Sequence, residues 1–176
     1  MNEKRLQEII LDYFKKGDWN HQHTLAAAYW MKKLIEKERG NDKILITCMY
    51  LHDIGYHLKN DENLDERLKR KKMHMEVGAR EAERILPIEG YTKDEIKQIA
   101  HLIRVHDKLK ELNTKDEILV LEADSLAQID HDRVSPSFNK EDFANYLDYF
   151  KKERASRFRT KTGKKFLREL MIKLGE

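Results

Sequence analysis

The sequence of 176 residues contains few residues that reverse the backbone, with 2 prolines and 7 glycines. β-Sandwiches, barrels and collagen-like folds depend on such residues, because proline and glycine adopt the backbone angles that turns require. Their scarcity argues against these folds and favours helices. The length predicts one domain over residues 1–176, long enough to bury a core.

Cysteine and long apolar stretches are equally scarce. Cys48 is the single cysteine of the sequence, so the chain cannot form an internal disulfide, and we expect a reducing compartment. No apolar run approaches the ~18 residues of a membrane span, and the charged residues 1–5 are unlike the start of a secretory signal. These absences predict a cytoplasmic protein without a membrane partner.

Positive and negative charges are numerous but balanced, with 35 Lys and Arg against 32 Asp and Glu. The formal net charge of +3 creates little long-range field, so it does not indicate a nucleic-acid partner. The basic stretches 69–72 and 151–165 leave a nucleic-acid-binding helical module open as an alternative, although no recognition motif accompanies them. The composition leaves its 8 histidines unexplained.

Apolar residues recur at intervals of three and four along most of the chain, as on one face of a helix. Gly17 and Gly40 are predicted to end the first two helices, and Thr92 and Thr114 begin capping boxes. The predicted helices span residues 3–16, 22–39, 42–53, 74–86, 93–106, 115–129, 140–154 and 163–174. Residues 59–72 are almost all charged and predict an exposed loop or a frayed helix.

The sequence has no alternation of apolar and polar residues long enough for a strand. It therefore predicts an all-α bundle of about six to eight helices, with a core over roughly 20–130 and C-terminal helices over roughly 140–174 packed on it. The third helix is apolar nearly all round, which is typical of a helix surrounded by others.

Four polar side chains interrupt these apolar faces. His23 begins the apolar face of the second helix, and Asp124 lies within the apolar sixth helix. His52 and Asp53 end the central helix. Each alone could be a core residue that hydrogen-bonds to the backbone. Two imidazoles and two carboxylates that all point inward would be costly to bury separately, whereas one metal ion would neutralise them together.

The order of these residues resembles the H…HD…D signature of the HD-domain metal-dependent phosphohydrolases. The signature falls here on His23, His52, Asp53 and Asp124, with Ile54 and Gly55 after the central pair. The similarity extends over residues 22–129 and, more weakly, over 157–165. It implies the all-α HD-domain helical bundle of a small single-domain hydrolase.

The resemblance also implies a cofactor and a reaction. The four signature residues would hold one divalent metal ion, and Mn, Fe, Co, Ni, Mg and Zn all suit two nitrogen and two oxygen donors. A metal-bound water would attack a phosphoester or phosphoanhydride of a nucleotide or related small phosphate. A nucleotide phosphatase and a pyrophosphohydrolase both fit this chemistry, in which Asp53 is also a catalytic residue.

Two further histidines, His74 and His106, match positions that in relatives serve a second metal ion or the phosphate and leaving group. They are predicted to be catalytic and substrate-binding, as imidazoles that donate to phosphate or act as a general acid. Helix-end or core histidines are the alternative. Lys72 and Arg104 are predicted to bind the anionic substrate, with a solvated surface as the alternative. The other histidines are expected in loops or at the surface: His21, His57, His101 and His131.

The sequence also departs from the family pattern. Tyr56 stands where many members carry lysine, Asp107 follows His106 where a second histidine would stand, and the Gly-Tyr-Pro element of cyclic dinucleotide phosphodiesterases is absent. These departures favour a single metal ion. The missing lysine leaves open an alternative function, a catalytically silent nucleotide or metal sensor with the same fold. A homodimer is left open as well.

Overall fold

A computed structural model of the chain describes residues 1–57, 64–136 and 140–176, and the side chains of 1–56, 73–136 and 142–176. Within these ranges all regular structure is helical, which confirms the predicted all-α class. The α-helices are α1 (Glu3–Leu11), α2 (Trp19–Glu38), α3 (Asp42–Leu51), α4 (Leu64–Ile85), α5 (Lys93–Val105), α6 (Lys115–Ile129), α7 (Lys140–Tyr149) and α8 (Lys161–Lys173).

Side-chain caps define where several helices begin. Both predicted capping boxes are present at the start of α5 and α6, where Thr92 and Thr114 accept from the backbone N–H three residues on. Asp18 caps α2, since its side chain accepts from the N–H of His21. These caps satisfy N–H groups that have no partner within the helix.

Other helix ends differ from the prediction. α1 ends at Leu11 rather than near 16, and α4 begins at Leu64 rather than at His74. The charged stretch before His74 is therefore helical from Leu64 onward, because glutamate, lysine and arginine are good helix formers even without an apolar face. The predicted helix 140–154 divides into α7 and a π turn, Phe150–Arg154.

Gly40 follows α2, as predicted, but it is not the residue with a positive φ. That residue is Arg39, with a φ of 60°. A Cβ at Gly40 would lie 2.4 Å from Cδ1 of Leu45. The space at Gly40 is therefore limited by a side chain of α3, which would have to move to admit a larger residue.

The central position of α3 agrees with its apolar sequence. Its residues from Ile44 to Leu51 are all buried, and the helix packs against α1, α2, α5 and α6. The chain that leaves α3 therefore emerges in the middle of the bundle. This is how His52 and Asp53 come to lie at its centre.

A carboxylate of α6 accepts several hydrogen bonds from the C-terminal part of the chain. Glu122 accepts from the backbone N–H of Arg159 at 2.7 Å and of Thr160 at 2.9 Å, and from the Thr160 hydroxyl at 2.5 Å. Thr160 is also the N-cap of α8, and α8 packs on α6 and α2. The contact lies two residues from Asp124, so it links the C-terminal part to the signature helix.

None of the helices in the part of the chain that the structure describes is both long enough and apolar enough to cross a membrane.

Candidate functional site

The structure brings together the four predicted metal-binding residues. His23 comes from the second turn of α2, His52 and Asp53 follow α3, and Asp124 lies in α6. All of them are buried. Nε2 of His23 lies 3.2 Å from Nε2 of His52, 3.0 Å from Oδ1 of Asp124 and 3.6 Å from Oδ2 of Asp53.

These separations are those expected between ligands of one ion. Two ligand atoms at roughly 2.1 Å from an ion and at right angles lie about 3 Å apart. Nε2 of His52 is 3.4 Å from Oδ2 of Asp53 and 3.7 Å from Oδ1 of Asp124. The donor atoms therefore surround one small volume that a divalent ion fits.

The orientation of the His52 ring supports the same interpretation. Its Nδ1 lies 2.8 Å from the carbonyl oxygen of Met49, and since a carbonyl only accepts, Nδ1 is the donor. Nε2 then directs its lone pair toward Asp53 and Asp124. A lone pair that faces two carboxylates needs a cation, either a metal ion or a proton, between them.

The charges of the site shift its pKa values in the direction that such a cluster requires. Burial opposes a charge on His52, but the carboxylates of Asp53 and Asp124 outweigh it and raise the pKa of His52 to about 9. Burial alone would raise the pKa of Asp53, but His52, His106 and His23 hold it well below its usual range. A metal ion that enters must therefore displace a proton.

His74 and His106 lie on the other side of Asp53. Oδ1 of Asp53 is 3.5 Å from Nε2 of His106 and 3.9 Å from Nε2 of His74, and the two Nε2 atoms are 3.3 Å apart. Asp107 adds a carboxylate oxygen 3.9 Å from Nε2 of His74. This second group of donors could hold another ion or phosphoryl oxygens. This second group of donors is therefore present although Asp107 departs from the family pattern.

Two glycines explain how α4 brings His74 so close. A Cβ at Gly55 would lie 2.0 Å from the carbonyl oxygen of His74, and a Cβ at Gly78 would lie 3.3 Å from the nitrogen of Gly55. Larger residues would push α4 away from the turn after Asp53. The ring of Tyr56 stacks on the ring of His74 at 4.2 Å.

A cavity of about 490 Å³ opens beside the donors. Asp53, Asp124 and His106 line it at the donor end, and its walls include five aromatic side chains: Trp19, Tyr56, Phe143, Tyr146 and Tyr149. The Tyr146 hydroxyl donates to Gln128, whose amide donates to Oδ1 of Asp124 at 2.9 Å. The aromatic wall is thus connected to a metal donor.

Sequence analysis did not identify Arg154, which lines the cavity and is 4% exposed. Its guanidinium donates to Oδ2 of Asp124, to Oδ1 of Asp107 at 2.8 Å and to Oγ of Ser125 at 2.9 Å. Burial raises the pKa of Asp124, but Arg154 and the histidines hold it well below its usual range. The signal was present in the sequence, because Arg154 continues the apolar spacing of Phe143, Leu147 and Phe150.

The other predicted residues lie elsewhere. Arg104 donates to Glu76 and Glu83, both at 2.9 Å, and the described lining of the cavity does not include it. The side chains of Lys72 and His57 lie outside the described residues. His101 is 58% exposed and contacts Glu117.

The two remaining histidines also take part in contacts. His21 lies in α2, where its Nδ1 accepts from the N–H of Gly17. His131 lies in a turn, as expected, but it lines the cavity and its ring contacts Phe143.

Comparisons with known proteins agree with this architecture. The HD domain matches residues 20–129. Among solved structures, a predicted HD superfamily hydrolase from an uncultured Thermotogales bacterium is similar, with 20% identity, a TM-score of 0.66, and coverage of 97% of this chain and 86% of that one. No curated protein matches. The likeness to the solved structure shows a shared fold, and since the HD domain spans more than half of the sequence, this chain belongs to the HD domain family.

Proposed function

We propose that this HD domain protein is a metal-dependent phosphohydrolase that cleaves a phosphoester or phosphoanhydride of a nucleotide or related small phosphate. One observation carries the proposal. Two buried imidazoles and two buried carboxylates bring their donor atoms together, and the two carboxylates line a cavity of about 490 Å³, a volume within the range of small-molecule sites.

His23, His52, Asp53 and Asp124 would hold one divalent ion. The donors are nitrogen and oxygen without a thiolate, which suits Mn, Fe, Co, Ni, Mg or Zn. When bound, such an ion lowers the pKa of water and polarises a phosphoryl oxygen. The carbonyl of Met49 keeps His52 aimed at the ion, and Arg154 and Gln128 hold the carboxylate of Asp124.

His74 and His106 are proposed to act on the substrate. Nδ1 of His106 donates to the carbonyl oxygen of Ile103 at 2.8 Å, which directs Nε2 toward Asp53. Burial lowers the pKa of His106, but Asp53 and Asp107 outweigh it and raise the pKa above its ordinary value. His106 can therefore hold a proton at Nε2 and give it to a leaving oxygen, or bind a phosphoryl oxygen.

Lys72 and Arg104 remain predicted substrate contacts. Arg104 would have to leave Glu76 and Glu83 to reach an anion in the cavity.

The aromatic wall favours a nucleotide among small phosphates. Trp19, Phe143 and Tyr149 line the cavity, with the ring of Trp19 stacked on that of His23, and a flat base packs favourably on aromatic rings. An inorganic polyphosphate offers these rings no flat surface to pack on.

The test is turnover by protein prepared without metal. Mn, Fe, Co, Ni, Mg and Zn are added singly, and nucleoside mono-, di- and triphosphates are screened with separate assays for phosphate and pyrophosphate. We expect release with at least one ion, and we expect Asp53→Asn to abolish it while Asp132→Asn, at an exposed aspartate, does not. Absence of release with every ion and nucleotide contradicts the proposal.

One observation favours the alternative of a catalytically silent nucleotide or metal sensor. Tyr56 replaces the lysine of many members, and its ring covers one face of His74. Tight binding of a nucleotide to the metal-loaded protein, with no product after long incubation, would distinguish the sensor from the hydrolase.

A further inference from the structure

Arg154 reaches the cavity on an unusual turn. In the π turn Phe150–Arg154, the N–H of Ala155 donates to the carbonyl oxygen of Phe150, five residues back. Turns of this kind are rare in proteins as a whole. Those that occur are often at functional sites, because the extra residue redirects the side chains that follow. Here the turn buries both Phe150 and Arg154 against the rest of the bundle.

The guanidinium of Arg154 has donors to spare. Of its five N–H groups, Nε–H is used by Ser125, one on Nη1 by Asp107 and one on Nη2 by Asp124. Among the described residues, the second N–H of Nη1 and that of Nη2 have no protein acceptor. Because Arg154 lines the cavity, these two N–H groups can meet a ligand there.

The charges around the cavity show why an anionic ligand needs this guanidinium. The described lining carries the carboxylates of Asp53, Asp107 and Asp124, and Arg154 is its one arginine or lysine. A divalent ion would balance two of these carboxylates and leave the third. Without Arg154, a phosphate dianion would lie beside these carboxylates with no arginine or lysine in the described lining, and like charges at this range repel strongly inside a protein.

We propose that Arg154 binds the phosphoryl group of the substrate through its two remaining Nη N–H groups. Asp107 pairs with the same guanidinium through another N–H group, so its carboxylate competes with the phosphate for the positive charge of Arg154. The identity of the ligand rests on the proposed function, but binding of the anion can be measured without turnover.

The experiment measures binding of inorganic phosphate by calorimetry. The protein is loaded with the ion that gives the highest activity, or with Mn²⁺ where none does, and its metal content is measured for each variant. We expect Arg154→Gln to weaken phosphate binding about tenfold or more, as for a lost charge-assisted hydrogen bond. Arg154→Lys should restore part of the affinity. Arg157→Gln is the matched control, since Arg157 is three residues on and donates to the carbonyl of Glu153.

A second variant tests the competition. Asp107→Asn removes an ion pair from Arg154 and should strengthen phosphate binding. The gain should be much smaller in the Arg154→Gln background, because the two effects are coupled through the guanidinium. Should Arg154→Gln fail to fold, Arg154→Lys takes its place, because lysine keeps the charge but lacks the Nη N–H groups, and unchanged phosphate affinity in Arg154→Lys then overturns the proposal.

The proposal is overturned by wild-type phosphate affinity in Arg154→Gln at equal metal content, by an equal loss in Arg157→Gln, or by unchanged or weaker binding in Asp107→Asn. Absence of phosphate binding by the wild-type protein overturns it as well. Phosphate binding that depends on Arg154 without any turnover contradicts the proposed hydrolase and supports this inference. Turnover together with phosphate binding that does not depend on Arg154 supports the proposed hydrolase and contradicts this inference.

Discussion

At the scale of single residues, Gly55 determines how closely α4 approaches the candidate metal donors. A Cβ at this position would meet the carbonyl oxygen of His74 at 2.0 Å and the nitrogen of Gly78 at 2.8 Å. Both are backbone atoms, so they cannot rotate away as a flexible side chain can. The position of His74 beside Asp53 therefore depends on the absence of a side chain at Gly55.

Gly55→Ala should lower the free energy of unfolding by about 2–3 kcal/mol, as overpacking of a rigid site does. Gly17→Ala is the matched control, because Gly17 has a φ of +83° but open space around it, and we expect a loss of about 1 kcal/mol. Urea denaturation measures both values. If Gly55→Ala lowers the free energy of unfolding no more than Gly17→Ala does, α4 moves to accommodate the added methyl group.

Single residues of the site could be found from the sequence where they break a local pattern. His23 and Asp124 are polar residues on apolar faces, and Arg154 is another. Sequence spacing shows that such a residue points inward, but not which other side chain it meets. The contact of Arg154 with Asp107 and Asp124 joins residues 47 and 30 positions apart, and no helical periodicity extends that far.

At the scale of helices, the start of α6 depends on Glu117. Its carboxylate accepts from the N–H of Asn113 at 2.8 Å and of Thr114 at 2.9 Å, and contacts His101 at 2.9 Å. Burial alone would raise the pKa of Glu117, but these hydrogen bonds outweigh it and lower the pKa to about 2. The ionised form is therefore the one that stabilises the fold.

Glu117→Gln should be destabilising at pH 7, and the difference from wild type should shrink as the pH falls. The folded pKa lies below the unfolded value, so the contribution of the carboxylate is complete above about pH 4.5 and is lost as the pH falls toward 2. Denaturation of both proteins between pH 7 and pH 2.5 measures this. A difference that stays constant over that range would contradict the assignment.

The docking of α8 depends on Thr160 as well as on apolar packing. Burial raises the pKa of Glu122 although Thr160 and Arg159 donate to it. The loss of one donor would therefore leave a buried carboxylate with too few hydrogen bonds. Thr160→Ala removes this hydroxyl and the N-cap of α8 together.

We expect Thr160→Ala to lower the free energy of unfolding by about 2–4 kcal/mol, and Thr160→Ser to recover most of it. Thr162→Ala, two residues on, removes a side-chain hydrogen bond to Glu38 and should cost about 1 kcal/mol. Chemical denaturation of the three variants is the measurement. Equal losses at the two threonines would argue against the role of the Glu122 contact.

At the scale of the whole molecule, the candidate metal donors join distant parts of the chain. Nε2 of His23 in α2 lies 3.0 Å from Oδ1 of Asp124 in α6, and these two helices also pack along each other. An ion held by both helices and by the chain after α3 would bind the folded state only. Metal should therefore stabilise the entire fold and not one segment of it.

Mn²⁺ at about 100 times its Kd should add about 2.7 kcal/mol to the free energy of unfolding, and raise the Tm by roughly 5–10 °C for a chain of this size. His23→Gln should remove most of the shift. His101→Gln, at an exposed histidine, should keep it. Thermal unfolding with and without Mn²⁺ tests this, and a full shift in His23→Gln would mean that the ion binds elsewhere.

The general architecture was predictable because it follows from local patterns. The apolar α3 predicts a central helix, and the capping boxes place the starts of α5 and α6. The division of the predicted helix 140–154 was not predictable, because an α-helix and a π turn differ by one residue per turn and the packing of Phe150 and Arg154 selects between them. For the charged stretch before His74 the sequence left an exposed loop and a frayed helix open, because that stretch lacks an apolar face, and the structure shows a helix from Leu64.

The part of the chain that matches the family, residues 20–129, ends before α7. The candidate metal donors lie within it, whereas Arg154 and the aromatic residues of α7 lie beyond it. A C-terminal segment taken from another member would fit α6 only if it offered Glu122 a hydroxyl and two backbone N–H groups, as Thr160 and Arg159 do. The Glu122 contact is therefore one junction that a chimera with the C-terminal segment of another member would have to keep, together with an arginine in the place of Arg154 to hold the carboxylate of Asp124.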